Sequence, residues 1–123
     1  MDIVHEPLRP GHLENFRSAV AMGPIPDSQW GAALAFVRGD EVLGIVGGWS
    51  NGDAVELGLA LSTEARCYPV SMHKLALRFV AGMHRLGHKK LRAWPVDVQG
   101  AEWLRRLGFE PVNSGAFERC RIQ

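Results

Sequence analysis

Residues Arg66–Gly87 read RCYPVSMHKLALRFVAGMHRLG, and the fold turns on them. Apolar residues recur at Met72, Leu75, Ala76, Phe79, Met83 and Leu86, the three-and-four spacing of one helix face. Ser71 has the residue type of an N-cap and Gly87 that of the residue just past a helix end, so the pattern predicts a helix between them. Burying Leu75, Phe79, Met83 and Leu86 would contribute about 1.5–3 kcal/mol each. The stretch in front of the helix, from Arg66, is short and irregular. A loop that runs into a helix start offers unpaired backbone N–H groups, which suit an anion.

Working outward, Ala54–Leu61 alternates Val55, Leu57, Leu59 and Leu61 with Glu56, Gly58 and Ala60, which predicts a fourth strand leading into the loop. Before it, Ile3–Arg9 reads as a first strand ended by Pro10-Gly11. His12–Met22 reads as a helix with Leu13, Phe16, Ala19 and Val20 on one face. Gly23–Asp27 holds two prolines and reads as a turn. Trp30–Arg38 and Glu41–Trp49 read as strands two and three, joined at Gly39-Asp40, and Ser50–Asp53 is a second turn signal. After the long helix come a fifth strand at Lys89–Val96 and a short helix at Val98–Leu107, stopped by Gly108. A strand from Phe109, a turn at Asn113–Gly115 and a closing strand at Ala116–Ile122 complete the chain. Hairpin-linked strands are antiparallel, whereas the crossover through the long helix makes the fourth and fifth strands parallel. The expectation is an α/β fold in a single domain, residues 1–123. Its mixed sheet is mostly antiparallel, with a parallel fourth/fifth pair and helices on both faces.

Composition narrows the function. A formal net charge of +1 points to neither a nucleic-acid protein nor an acidic tail. The cluster Lys89, Lys90, Arg92, Arg105 and Arg106 lacks the interleaved aromatics of a nucleic-acid face. No apolar run approaches the ~20 residues of a membrane span. The N-terminus lacks the basic and apolar regions of a signal peptide, and the two cysteines, Cys67 and Cys120, have no short-range pairing; a cytoplasmic location is expected. Gly44, Gly47 and Gly48 do not lead from a strand into a helix, so they mark bulges or tight strand contacts rather than a dinucleotide fingerprint. His84 and His88 lie four apart but lack a third ligand, and they read as a solvated basic helix end, with no metal site. Trp30, Trp49, Trp94 and Trp103 read as core or cleft walls.

Three stretches carry a family likeness: VELGLALSTEARCYPVSMHKLAL at 55–77, KLRAWPV at 90–96 and AEWLRRLGFEPV at 101–112. With the order of elements, they resemble the GNAT N-acetyltransferase superfamily over nearly the whole chain. The resemblance implies acetyl-CoA as co-substrate and an amine as acceptor. In the family the loop before the long helix reads Arg/Gln-x-x-Gly-x-Gly/Ala and holds the pyrophosphate. Here Arg66 keeps the first position, Pro69 replaces the first glycine and Ser71 the second. The implied cofactor contacts are Leu61, Arg66, Cys67, Tyr68, Val70 and Ser71. Pro69 departs most, because it has no N–H to donate. The family's sheet splays between the fourth and fifth strands to admit the pantetheine arm, and Pro95 is compatible with that splay. Glu56, on the fourth strand, matches the family's general base. The tyrosine that many members use as general acid is replaced by Leu104, beside Trp103, and the chain's one tyrosine is Tyr68. The absent glycines and tyrosine support an alternative. In it the chain is a catalytically inactive GNAT-like binding or structural module in a larger assembly, such as a phage particle, or in a homo-oligomer.

Overall fold

The computed structural model describes residues 2–14, 16, 20–22 and 32–120. Its strands are β1 (Val4–Pro7), β2 (Val20–Met22), β3 (Ala32–Arg38), β4 (Glu41–Asn51), β5 (Ala54–Leu61), β6 (Lys90–Ala93), β7 (Glu110–Pro111) and β8 (Phe117–Cys120). The α-helices are α1 (Pro10–Leu13), α2 (Pro69–Arg85) and α3 (Val98–Arg106). The strands form one sheet in the order β1-β3-β4-β5-β6-β8-β7, with β2 set against β5. β5 and β6 are parallel, and the other pairings are antiparallel. This is the mixed sheet that the crossover through α2 requires.

Alternation along the strands sorts side chains into two layers. On one face Phe36, Leu43, Val46, Val55, Leu57 and Leu59 pack with Met72, Leu75, Ala76, Phe79, Val80 and Met83 of α2 and Leu104 of α3. On the other, Leu8, Ala35, Val37 and Ile45 are covered by Leu13 of α1 and Phe16. Arg9 donates its backbone N–H to Nδ1 of His12, and His12 Nε2 bonds Glu6, which ties α1 to β1.

The ends of α2 differ from expectation in two places. The helix starts at Pro69, not after Ser71: Tyr68 is the N-cap and makes no side-chain cap bond. Proline is preorganised for the first helical position, where an N–H would be an orphan, so it outranks a serine two residues on. Leu86 belongs to the end cap, not the core, and is 74% exposed. Gly87 does close the helix, at φ +101. Its N–H donates to the His84 carbonyl and that of His88 to the Met83 carbonyl, the paired bonds of a Schellman motif.

The helix expected over His12–Met22 is corrected. Helix stops at Leu13, and Val20–Met22 is a strand whose residues lie opposite Leu61, Ala60 and Leu59. The reason is tertiary. β6 pairs with β5 only through Val55↔Leu91 and Glu56↔Arg92, which leaves the remainder of that β5 edge in need of partners. The Pro-containing turn expected at Gly23–Asp27 lies outside the described residues. The turn between β4 and β5 is confined to Gly52-Asp53, flanked by the pair Asn51↔Ala54.

Candidate active site

The site is built where β5 and β6 part and α2 begins. β5 delivers Leu61 into a 3₁₀ turn, Thr63–Cys67, which runs through Tyr68 into α2. Met72 N–H is bonded to the Tyr68 carbonyl, whereas Val70 and Ser71 occupy first-turn positions whose amides have no intrahelical acceptor. Pro69 offers none. Arg66 and Cys67 are exposed in the turn, Tyr68 and Ser71 half-buried, and Val70 exposed. Arg38, at the end of β3, lies over the Tyr68 ring at 5.5 Å. The turn contributes Arg66 together with Glu64, and β3 adds Arg38 beside Tyr68, so two guanidinium groups and the first-turn amides are the features here of the right sign for phosphate. The expected loop residues are thus adjacent; Arg38 was not expected, since nothing local in sequence ties it to Tyr68.

Glu56 lies on the opposite face of β5 from Val55 and Leu57 and is 5% exposed. Its Oε1 accepts from Asn51 Nδ2 and Arg92, each at 3.3 Å, and its Oε2 from Trp94 Nε1 at 3.0 Å. Arg92 also reaches Glu118 Oε2 at 2.7 Å. This row follows from register: Trp49 is opposite Glu56, Glu56 opposite Arg92, and Arg92 opposite Glu118. The hydrogen bond to Glu118, against a smaller cost of burial and with help from Glu56, pushes the Arg92 guanidinium above its usual range. At the rim, the Lys90 ammonium bonds Asp53 at 3.0 Å, which holds the Asp53 carboxyl below its usual value and lifts Lys90 above its own. Asn51, Arg92 and Trp94 were not singled out as partners of Glu56. The alternation of Leu91 and Arg92 gives the face, but the register between parallel strands is not encoded locally.

Across the sheet, α2 and α3 are bridged by Trp103 Nε1, which donates to Nδ1 of His73 at 3.1 Å. Beneath lies a cavity of about 30 Å³ whose walls include Leu57, Leu59, Phe79, Trp103 and Leu104. Leu104, in the place the resemblance reserves for a tyrosine, is 2% exposed and part of the core. Cys67 and Cys120 are free and exposed. His84 is corrected from a solvated residue: it is buried, and its Nδ1 donates to the His88 carbonyl at 2.7 Å. Among the described residues, no cluster of three or more His, Cys, Asp or Glu is placed to hold a metal, and no helix is long and apolar enough to cross a membrane.

No family model matches the sequence, and no curated protein does. Solved structures do. An N-acetyltransferase from Staphylococcus aureus Mu50 superposes with a TM-score of 0.61 at 15% identity, over 72% of this chain and 66% of its own. An acetyltransferase from Bacillus subtilis in complex with CoA gives 0.59 at 12%, over 73% and 76%. The PaiA N-acetyltransferase from Thermoplasma acidophilum in complex with coenzyme A gives 0.57 at 19%, over 72% and 60%. The chain thus spans somewhat less than two thirds of the first of these neighbours, and the likeness is one of fold. That fold is the GNAT fold.

Proposed function

We propose that this GNAT-fold chain binds acetyl-CoA and transfers its acyl group to an amine. The observation that carries the reading is the run from β5 through Arg66 into the open first turn of α2, with Arg38 beside it. In this reading Arg66, Arg38 and the amides of Val70 and Ser71 hold the pyrophosphate, while the backbone of Leu61, Cys67 and Tyr68 lines its approach. The phosphate end fits the residues present. The arm of the cofactor, laid along β5 beyond β6, does not fit in this conformation, because β2 pairs with Leu59, Ala60 and Leu61 there.

The amine nitrogen would attack the thioester carbonyl, the C–S bond would break, and the amine would lose a proton as the thiolate leaves. Glu56 is the base of this proposal. An ionised carboxylate offers about four acceptor positions, and three are used by Asn51, Arg92 and Trp94. Leu104 brings no proton donor to the thiolate, so orientation of the two substrates supplies most of the rate. Calorimetry with CoA and acetyl-CoA tests the reading. Binding is expected, and Arg66→Ala should weaken it about tenfold, one charge-assisted hydrogen bond's worth. No heat at millimolar CoA would reject it.

A second reading, a GNAT-like module that has lost catalysis and serves a protein assembly, is favoured by the burial of Leu104 and by Pro69 at the first helical position. The same calorimetry separates the two.

A further inference from the structure

We infer that Val20–Met22 is an internal occupant of the acyl-CoA slot, an autoinhibitory strand that must leave the edge of β5 before the arm of the cofactor can lie there. The inference rests on the cofactor reading above and adds to it a mode of regulation. One edge of β5 serves two strands in turn. β6 takes Val55 and Glu56, in parallel, and β2 takes Leu59, Ala60 and Leu61, antiparallel. The space opened by the divergence of β5 and β6 is the space β2 fills. A sheet edge binds any extended chain that presents alternating amide donors and acceptors. The pantetheine arm is such a chain, so it and β2 compete for the same N–H and C=O groups.

On the helical side of β5 the packing leaves little free volume. The Trp103–His73 hydrogen bond joins α2 to α3, and the cavity beneath it, about 30 Å³, has room for a single water. The closure by β2 is small, a strand of three residues. Ligand binding can reverse contacts of this size, and the measured affinity is then the intrinsic one reduced by the fraction of open molecules.

Hydrogen exchange on the full chain, with and without CoA, tests the strand directly. Without CoA the amides of Val20–Met22 that face β5 should be protected. Saturating CoA should speed their exchange at least about tenfold, while the amides between β4 and β5 stay slow. Unchanged protection of Val20–Met22 with CoA bound would overturn the inference. Calorimetry on Ala21→Pro gives a second readout, since proline cannot complete a ladder. The variant should bind CoA about tenfold more tightly than the native chain. Equal affinities overturn the plug and leave the cofactor reading standing. Absence of binding by both overturns the cofactor reading and the regulatory role of β2 with it. The exchange experiment uses the native chain, so it decides the matter even if Ala21→Pro does not fold.

Discussion

Arg92 stands opposite Glu56 across the parallel β5–β6 pair, and its guanidinium lies 3.3 Å from Glu56 Oε1 and 2.7 Å from Glu118 Oε2. One cation therefore serves two largely buried carboxylates at the root of the cleft. Removing it leaves both uncompensated in a place water scarcely reaches. Arg92→Ala should cost about 3 kcal/mol, the penalty for breaking a buried pair from one side. Glu56→Gln should cost about 1 kcal/mol, because the amide oxygen still accepts from Trp94 or Asn51 and Arg92 keeps Glu118. Urea unfolding of both variants checks the ranking; a Glu56→Gln penalty larger than that of Arg92→Ala would mean that Glu118 is not the main partner.

The Asp53–Lys90 bridge sets a pH dependence. The folded chain holds the Asp53 carboxyl below the usual carboxylate range, chiefly through the Lys90 hydrogen bond, and the same contact lifts the Lys90 ammonium above its usual range. A depressed carboxyl contributes stability above its unfolded pKa and loses it as pH falls through the folded value. A raised ammonium contributes below its unfolded pKa and loses it as pH climbs through the folded one. The stability difference between the native chain and Asp53→Asn should therefore be flat from about pH 5 to pH 9 and shrink at both extremes. It should also fall with added salt, because both groups face solvent. A difference that grows below pH 4 would contradict the assignment.

Much of this was legible from residue pattern. Strict alternation in β5 and turn residues at Gly39-Asp40 and Gly52-Asp53 fix strands whose partners are near in sequence. Gly87 marks the end of α2 because few residues adopt a left-handed conformation without strain. The start of α2 was misplaced because Ser71 and Pro69 both carry start signals, and only the backbone path decides between them. Val20–Met22 could not be read at all. Its neighbours have helical spacing, and what makes it a strand is a vacant edge on β5, some forty residues away. The same holds for Arg92, whose face was readable while its partner depended on register.

The glycines of β4 also yield a test. A Cβ on Gly48 would sit 2.9 Å from Val55 Cγ1 and 3.0 Å from Leu57 Cδ2, against the strand that carries Glu56. Gly48→Ala should destabilise the fold by about 1–3 kcal/mol through overpacking. Gly11→Ala, with nothing within 4 Å of the added carbon, is the matched control and should be close to neutral. Thermal unfolding measures both, and equal midpoints would show that β4 and β5 can separate at no cost.

Pro69 links stability and function at one position. As the first residue of α2 it preorganises the helix start but leaves the proposed phosphate site one donor short. Pro69→Ala should lower stability by about 0.4–1 kcal/mol, since the unfolded chain gains freedom. It should at the same time add an N–H beside those of Val70 and Ser71. If that amide meets a phosphate oxygen, the gain is about 1.5–3 kcal/mol, or at least about tenfold in affinity for CoA. The two effects have opposite signs and different readouts, thermal unfolding for one and calorimetry for the other. A variant that is less stable but no better at binding CoA would remove the start of α2 from the phosphate site and favour the non-catalytic reading.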